Sequence, residues 1–229
     1  MIRPTRATPP ALLALAGAVV AASAFEMPSS VAAPGRLSAA AADRTTAQRA
    51  VLRLADLPGG WTASDPGSTR KPSACAGFRQ ARATVSARAN SRDFVHATSQ
   101  ASHTVYVYAD ARRARSAYVK LTSATARRCV GAETKTKLEG DGRVLLAPVR
   151  TSSLKIARIG DQSAVDRIAV DYRAAGGGVA TLTLDLVFVR ERRALSLLAL
   201  VDDVDTFDVE LRTRLASIAG RRLRTLLAR

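Results

Sequence analysis

Val165-Asp166-Arg167-Ile168-Ala169-Val170-Asp171-Tyr172 runs into the turn Ala174-Ala175-Gly176-Gly177-Gly178, and a second β-rich run, Val179 to Val189, follows. In the second run Leu182, Leu184 and Leu186 alternate with Thr181, Thr183 and Asp185. That period of two predicts a strand with one covered and one wetter face. A third run, Leu195 to Val201, comes after a short connection at 190–193. Three strands joined by short turns read as an antiparallel meander.

Working outward, the segment from about Phe207 is an amphipathic helix. Leu211, Leu215, Ile218, Leu223 and Leu226 form its apolar stripe, and Arg212, Arg214, Arg221, Arg222 and Arg224 cover the rest. Upstream of the meander, Asp141-Gly142 carries a hairpin-turn signal before Val144-Leu145-Leu146. Thr104-Val105-Tyr106-Val107-Tyr108 is β-rich, and Asp110 is placed to cap a helix running through Arg128 and closed by Cys129. Its packing face would be Ala114, Tyr118, Leu121 and Ala124. Further back, a short helix over 46–55 is broken by Leu57-Pro58-Gly59-Gly60-Trp61, and a loop follows to Ser73. Two long helices that do not alternate with the strands give an α+β class, an antiparallel β-sheet packed against two long helices.

The amino end reads as an export signal over residues 1–32. Arg3 and Arg6 precede a short apolar core at 11–22, and small-residue cleavage sites end at Ala24 and Ala32. A flexible leader at 33–45 and a single domain at 46–229 complete the expected organisation. The chain after the signal has no run long enough to span a membrane. Cys75 and Cys129 are the two cysteines, an even count that in an oxidising compartment reads as one disulfide.

Of 229 residues, 47% are apolar, 24% charged and only 4% aromatic, with mean hydropathy +0.01. Such values exclude a disordered tail and a multispanning membrane protein. The formal charge is +16, and thirty of the thirty-five basic residues are Arg. Arg112, Arg113 and Arg115 stand in the first turn of a helix, where positive charge is unfavourable. They are the candidate anion-binding residues, against a solvated Arg-rich face. No stacking aromatics interleave the arginines, so nucleic acid is not expected as a partner.

No catalytic constellation is expected, and no cofactor or metal. His96 and His103, the only histidines, are seven apart in one expected strand and would point to opposite faces. Asp202, Asp203, Asp205, Asp208 and Glu210 lack the glycine and terminal Glu of a calcium loop. Their place before the last helix is explained by capping and the helix dipole.

Leu57-Pro58-Gly59-Gly60-Trp61, Cys75, Val105-Tyr106-Val107-Tyr108-Ala109-Asp110 before an Ala-rich helix ending at Cys129, Ile159-Gly160-Asp161 and Val187-Phe188-Val189-Arg190 occur in that order. In this the chain resembles the secreted sensor-type domains of actinobacteria, the PknH-like extracellular domains, over about 52–227. The resemblance implies an antiparallel sheet packed with helices, a cleft for an extracellular ligand and no catalysis. It departs in having two cysteines where kinase-linked members carry a second disulfide, and in lacking a kinase or membrane anchor. The leading expectation is thus an exported, non-enzymatic, sensor-like envelope protein. Its partner would be an extracellular small molecule or an anionic envelope component. The alternatives are an extracytoplasmic enzyme using a carboxylate such as Asp161 or Asp166, and a polyanion-binding basic protein.

Overall fold

The computed structural model describes residues 34–64, 73–174 and 177–228, with backbone alone at 34–38. The export signal expected over 1–32 lies outside the described residues.

The meander is present as β7 (Gln162–Arg173), β8 (Val179–Glu191) and β9 (Ala194–Asp202), all antiparallel. It is the centre of a nine-stranded sheet. Beyond β9 lies β4 (Ser99–Tyr108), whose outer edge is shared by β3 (Asp93–His96) and β2 (Val85–Asn90). β1 (Thr62–Ser64) adds to β3. At the opposite edge, β5 (Val144–Leu145) and β6 (Arg150–Leu154) divide the outer side of β7 between them.

Both faces of the sheet are covered, which corrects the expectation of one wetter face. Ile168, Val170, Leu186, Phe188 and Leu195 meet α2 (Ala76–Ala83), α3 (Ala111–Leu121) and α4 (Ala124–Gly140) on one side. Val165, Val187, Val189, Leu198 and Leu200 meet α5 (Val209–Leu227) on the other, and Val105, Val107 and Ala194 join α1 (Pro34–Ala50) and Leu223 there. Polar residues of β8 are therefore buried. Asp185 is fully buried between Arg167 (2.7 and 2.8 Å) and Arg212 (2.6 Å). Arg212, read from periodicity as solvated, lies in this buried pair: its helix face packs on the sheet, where the carboxylate compensates its charge.

Three boundaries differ from the sequence reading, each for a local reason. α1 begins at Pro34, inside the stretch read as a flexible leader, and ends at Ala50 rather than 55. Pro suits a first helical turn, and Asp43 anchors the helix through Arg193 (2.6 Å). The helix expected from Asp110 through Arg128 is two helices. Thr122 bonds back to Tyr118 O, and Ser123 accepts the Ala126 amide, starting α4 afresh; Cys129 sits inside α4 instead of closing a helix. Asp141-Gly142 ends α4 rather than making a hairpin. Gly142 has φ +79° and Arg143 N donates to Leu138 O, the left-handed helix ending that glycine permits. The expected Cys75–Cys129 disulfide is formed, tying the start of α2 to α4.

The two glycine motifs that carried the family resemblance do backbone work. Gly60 (φ +90°) turns the chain so that Trp61 stacks on His96, with ring centroids 5.6 Å apart. Gly160 (φ +66°) lies so close to Arg190 O that a Cβ would come within 2.6 Å of it. Asp161 then accepts the Arg192 amide at 2.8 Å and pairs with Arg190 at 3.0 Å.

Candidate functional site

The residues that leave α4 form a continuous apolar run, Val144-Leu145-Leu146-Ala147-Pro148-Val149, in which Leu145 and Val149 pack partly buried against the core while Val144, Leu146 and Pro148 are exposed. Such a run ordinarily enters the core. Here both of its ends are held in place. Arg143 makes a bidentate pair with Asp203 (2.6 and 2.9 Å) and lies 4.3 Å over the Tyr172 ring. Arg150 makes another with Asp171 (2.5 and 2.9 Å). The Arg150 guanidinium and the Thr181 hydroxyl hold the Asp171 carboxyl down to about 2. Leu146 N donates to Asp171 O, fixing the middle of the run beside β7.

The run faces α4 across an open groove of about 820 Å³. Its floor is Leu145, Leu146, Ala147, Pro148, Val149 and Gly131, and its α4 rim presents Arg128, Ala132, Lys135 and Glu139. Gly131 sets the closeness of the walls, because a Cβ there would meet Thr151 Cγ2 at 2.9 Å and Val149 Cγ1 at 3.4 Å. The Cys75–Cys129 bridge fixes α4 two residues earlier. Lys135 pairs with Glu139 at 3.6 Å, both half exposed. Among the described residues the Arg128 guanidinium contacts the Thr125 hydroxyl alone, at 3.4 Å. The groove thus offers an apolar trough with cationic side chains along one lip. Sequence reasoning took residues 144–146 for an ordinary strand; the available signal was six apolar residues closed by Pro148-Val149.

The arginines nominated from sequence as anion-binding lie away from this groove, Arg113 beside a small pocket with Ser116 and Lys120. Arg112, Arg113 and Arg115 are exposed on the first turns of α3. The Asp110 carboxylate accepts the Arg113 amide at 2.7 Å and approaches the Arg113 guanidinium at 3.6 Å, so the helix start already carries an anion of its own. None of the three lines the groove.

Asp161 and Asp166 are likewise apart in role. Asp161 borders a shallow depression with Tyr118, Arg158 and Gln162. Asp166 is buried against α4, accepting from Ser153 (3.1 Å) with Arg127 at 3.4 Å. Burial pushes its carboxyl above the usual range, and Arg127 and Ser153 partly offset this.

The acidic cluster before α5 is divided among protein donors. Asp208 caps the helix by accepting Leu211 N at 2.6 Å. Burial tends to raise the Asp202 carboxyl, but Ser99 Oγ, the Val204 and Asp205 amides and Thr98 together hold it low. Asp203 receives Arg143.

The histidines do not share a strand, correcting the opposite-face expectation: His96 ends β3, His103 lies in β4, and Ala97 (φ 50°) turns the chain between them. His103 is buried, its Nδ1 accepting the Leu52 amide at 3.0 Å and its Nε2 lying 2.5 Å from Ser196 Oγ. Since Nδ1 accepts, the ring proton of the neutral form sits on Nε2 and is donated to Ser196.

No family model matches the chain, and no curated protein matches it. Two solved structures are similar to it at a distance. One is the extracellular domain of PknH from Mycobacterium tuberculosis, with 11% identity and a TM-score of 0.42, covering 79% of this chain and 94% of that one. The other is LpqN, involved in cell envelope biogenesis of Mycobacterium tuberculosis, with 14% identity and a TM-score of 0.31, covering 72% and 78%. At these values neither likeness argues for a shared activity, so function has to be read from the site itself. Among the described residues, no helix is long and apolar enough to cross a membrane.

Proposed function

We propose that this chain is an exported, non-enzymatic envelope protein of sensor type that captures a small ligand in the groove between α4 and residues 144–149. The observation carrying this reading is the apolar run, pinned by ion pairs at both ends and left facing an open trough. Its volume falls within the range of small-molecule sites, and apolar lining with a few placed polar groups is the usual composition of such sites. The disulfide supports an oxidising compartment. Asp166, one of the two carboxylates weighed for an enzyme, is buried and already paired, which supports a binder over an enzyme.

The test is binding of a neutral hydrophobic dye, Nile red, followed by fluorescence, to the protein and to Ala132→Trp. Ala132 is exposed on the groove rim, so the indole fills the trough without entering the core. Saturable one-to-one binding that the substitution abolishes is expected. Binding unaffected by Ala132→Trp would remove the groove from consideration.

A further inference from the structure

We infer that the groove takes an amphiphile with one anionic head group and one alkyl chain, a long-chain carboxylate being the simplest member. This rests on the reading of the groove as the ligand site and adds the class of ligand.

Three features of the trough carry the inference. Five consecutive residues, Leu145 to Val149, run along the floor, a stretch at most about 17 Å long, so it offers a linear chain a track that a compact ring system would not use. Leu146, the exposed large side chain of the floor, is 39% exposed, while Leu145 and Val149 beside it are partly buried against the core. Covering them with an alkyl chain removes that surface from water, the main driving force for such binding.

The second feature is charge. Arg128 and Lys135 both lie on the α4 lip, and among the described residues Arg128 has no carboxylate partner. Glu139 is the one acid on the lip, and it is engaged with Lys135 in an exposed pair of the kind that contributes little and breaks readily. A guanidinium beside an apolar floor matches a carboxylate head in charge and in its planar two-oxygen geometry.

The third is the contrast with the arginines lining the sheet. Arg143, Arg150, Arg167, Arg212 and Arg222 each hold an aspartate by short contacts. Among the described residues Arg128 has no such partner; it shares this with the exposed Arg112 and Arg115, but of the three it is the one that lines the groove, where a ligand head group would supply the anion.

The experiment is isothermal titration of the full exported chain with three twelve-carbon probes below their micelle concentrations, together with acetate. Dodecanoate is expected to bind one-to-one, about tenfold tighter than dodecyl maltoside, with dodecyltrimethylammonium weaker than either and acetate giving no measurable heat. Arg128→Gln should weaken dodecanoate about three- to fivefold and leave the maltoside unchanged. Arg112→Gln/Arg115→Gln should leave both unchanged. Equal affinity for all three chains would overturn the anionic class while leaving the groove as a binding site. An equal loss from the Arg112/Arg115 variant would overturn it as well, because the net charge would then be acting diffusely. If no twelve-carbon probe binds, or Ala132→Trp does not block binding, the groove reading falls together with this one.

Discussion

Acidification should destabilise this protein through one buried ring. His103 is 1% exposed, and burial together with the nearby Arg222 guanidinium pushes its imidazole down to about 3, with Asp56 opposing weakly. A second proton would sit on Nδ1, turning an acceptor of the Leu52 amide into a donor facing a donor. The unfolded chain has no such restriction and titrates near 6.5. Above that pH the neutral ring costs nothing. Below it the unfolded state binds a proton that the folded state refuses, and stability is lost until the pH reaches about 3. At about 1.4 kcal/mol per pH unit, the loss between pH 7 and pH 5 is about 2 kcal/mol. The carboxylates held low, Asp171 and Asp202, add their losses at lower pH, and Asp166, held high, works in the opposite direction. The window from 6.5 to 5 therefore isolates the histidine. Urea unfolding followed by far-ultraviolet circular dichroism at pH 7, 6 and 5 measures it, with His103→Gln as the reference that keeps a polar side chain but does not titrate. The wild type should lose about 2 kcal/mol across that range, and the variant less than about a quarter of that. Parallel slopes in the two proteins would refute the assignment.

Four other outcomes follow from geometry already described. Asp185→Asn leaves Arg212 charged and buried, and should cost about 3–5 kcal/mol in denaturant unfolding; a loss below 1 kcal/mol would mean that solvent reaches the pair. Reducing Cys75–Cys129, which closes a separation of 54 residues, should remove about 4 kcal/mol, or about 8–16 °C in Tm by scanning calorimetry with and without reductant. Gly160→Ala combines a positive φ with a backbone oxygen 2.6 Å from the new Cβ and should cost at least about 2 kcal/mol; a neutral result would show that the turn relaxes freely. Replacing Arg112, Arg113 and Arg115 together with Gln should relieve repulsion at the α3 start and raise Tm by about 1–3 °C. Adhesion to an anionic cell-wall polymer should fall no more than with Arg221, Arg222 and Arg224 replaced, and a selective loss from the first triple variant would establish a specific anion site at α3.

The meander, the disulfide, the last helix and the α+β class were legible because each rests on local pattern: period two, an even cysteine count, period 3.6. What failed was whatever depended on the opposite partner. Asp185 in an alternating strand reads as solvent-facing until α5 is known to bring Arg212 across it. Asp141-Gly142 reads as a hairpin because the same left-handed glycine ends a helix, and only the Arg143 to Leu138 bond distinguishes the two. Thr122-Ser123 could have been recognised as a break, since Ser at an N-cap is a strong signal, but the apolar spacing of α3 continued far enough to hide it. The groove was out of reach for another reason. Residues 144–149 are apolar, which predicts burial, and the exposure of Val144, Leu146 and Pro148 is a property of where the Arg143 and Arg150 pairs hold the chain.

A sheet covered by helices on both sides has few places to put a ligand. Its interior faces are committed to the two large apolar clusters, and at one edge β4 is already paired along most of its length by β2 and β3. The other edge differs. β5 and β6 leave a break between them along β7, residues 147–149 cross that break without strand pairing, and α4 stands over it. The break is where the covering layer is incomplete and where apolar surface remains in water. The Gly131 contact and the disulfide keep α4 near the break without closing it, so the trough exists before any ligand arrives. Replacing Gly131 with Val is then the sharpest single perturbation. It should drive β6 and α4 apart, weaken Nile red binding by about tenfold, and cost about 1–3 kcal/mol from overpacking. A variant that lost the stability but kept the affinity would separate the trough from the helix position that is argued to define it.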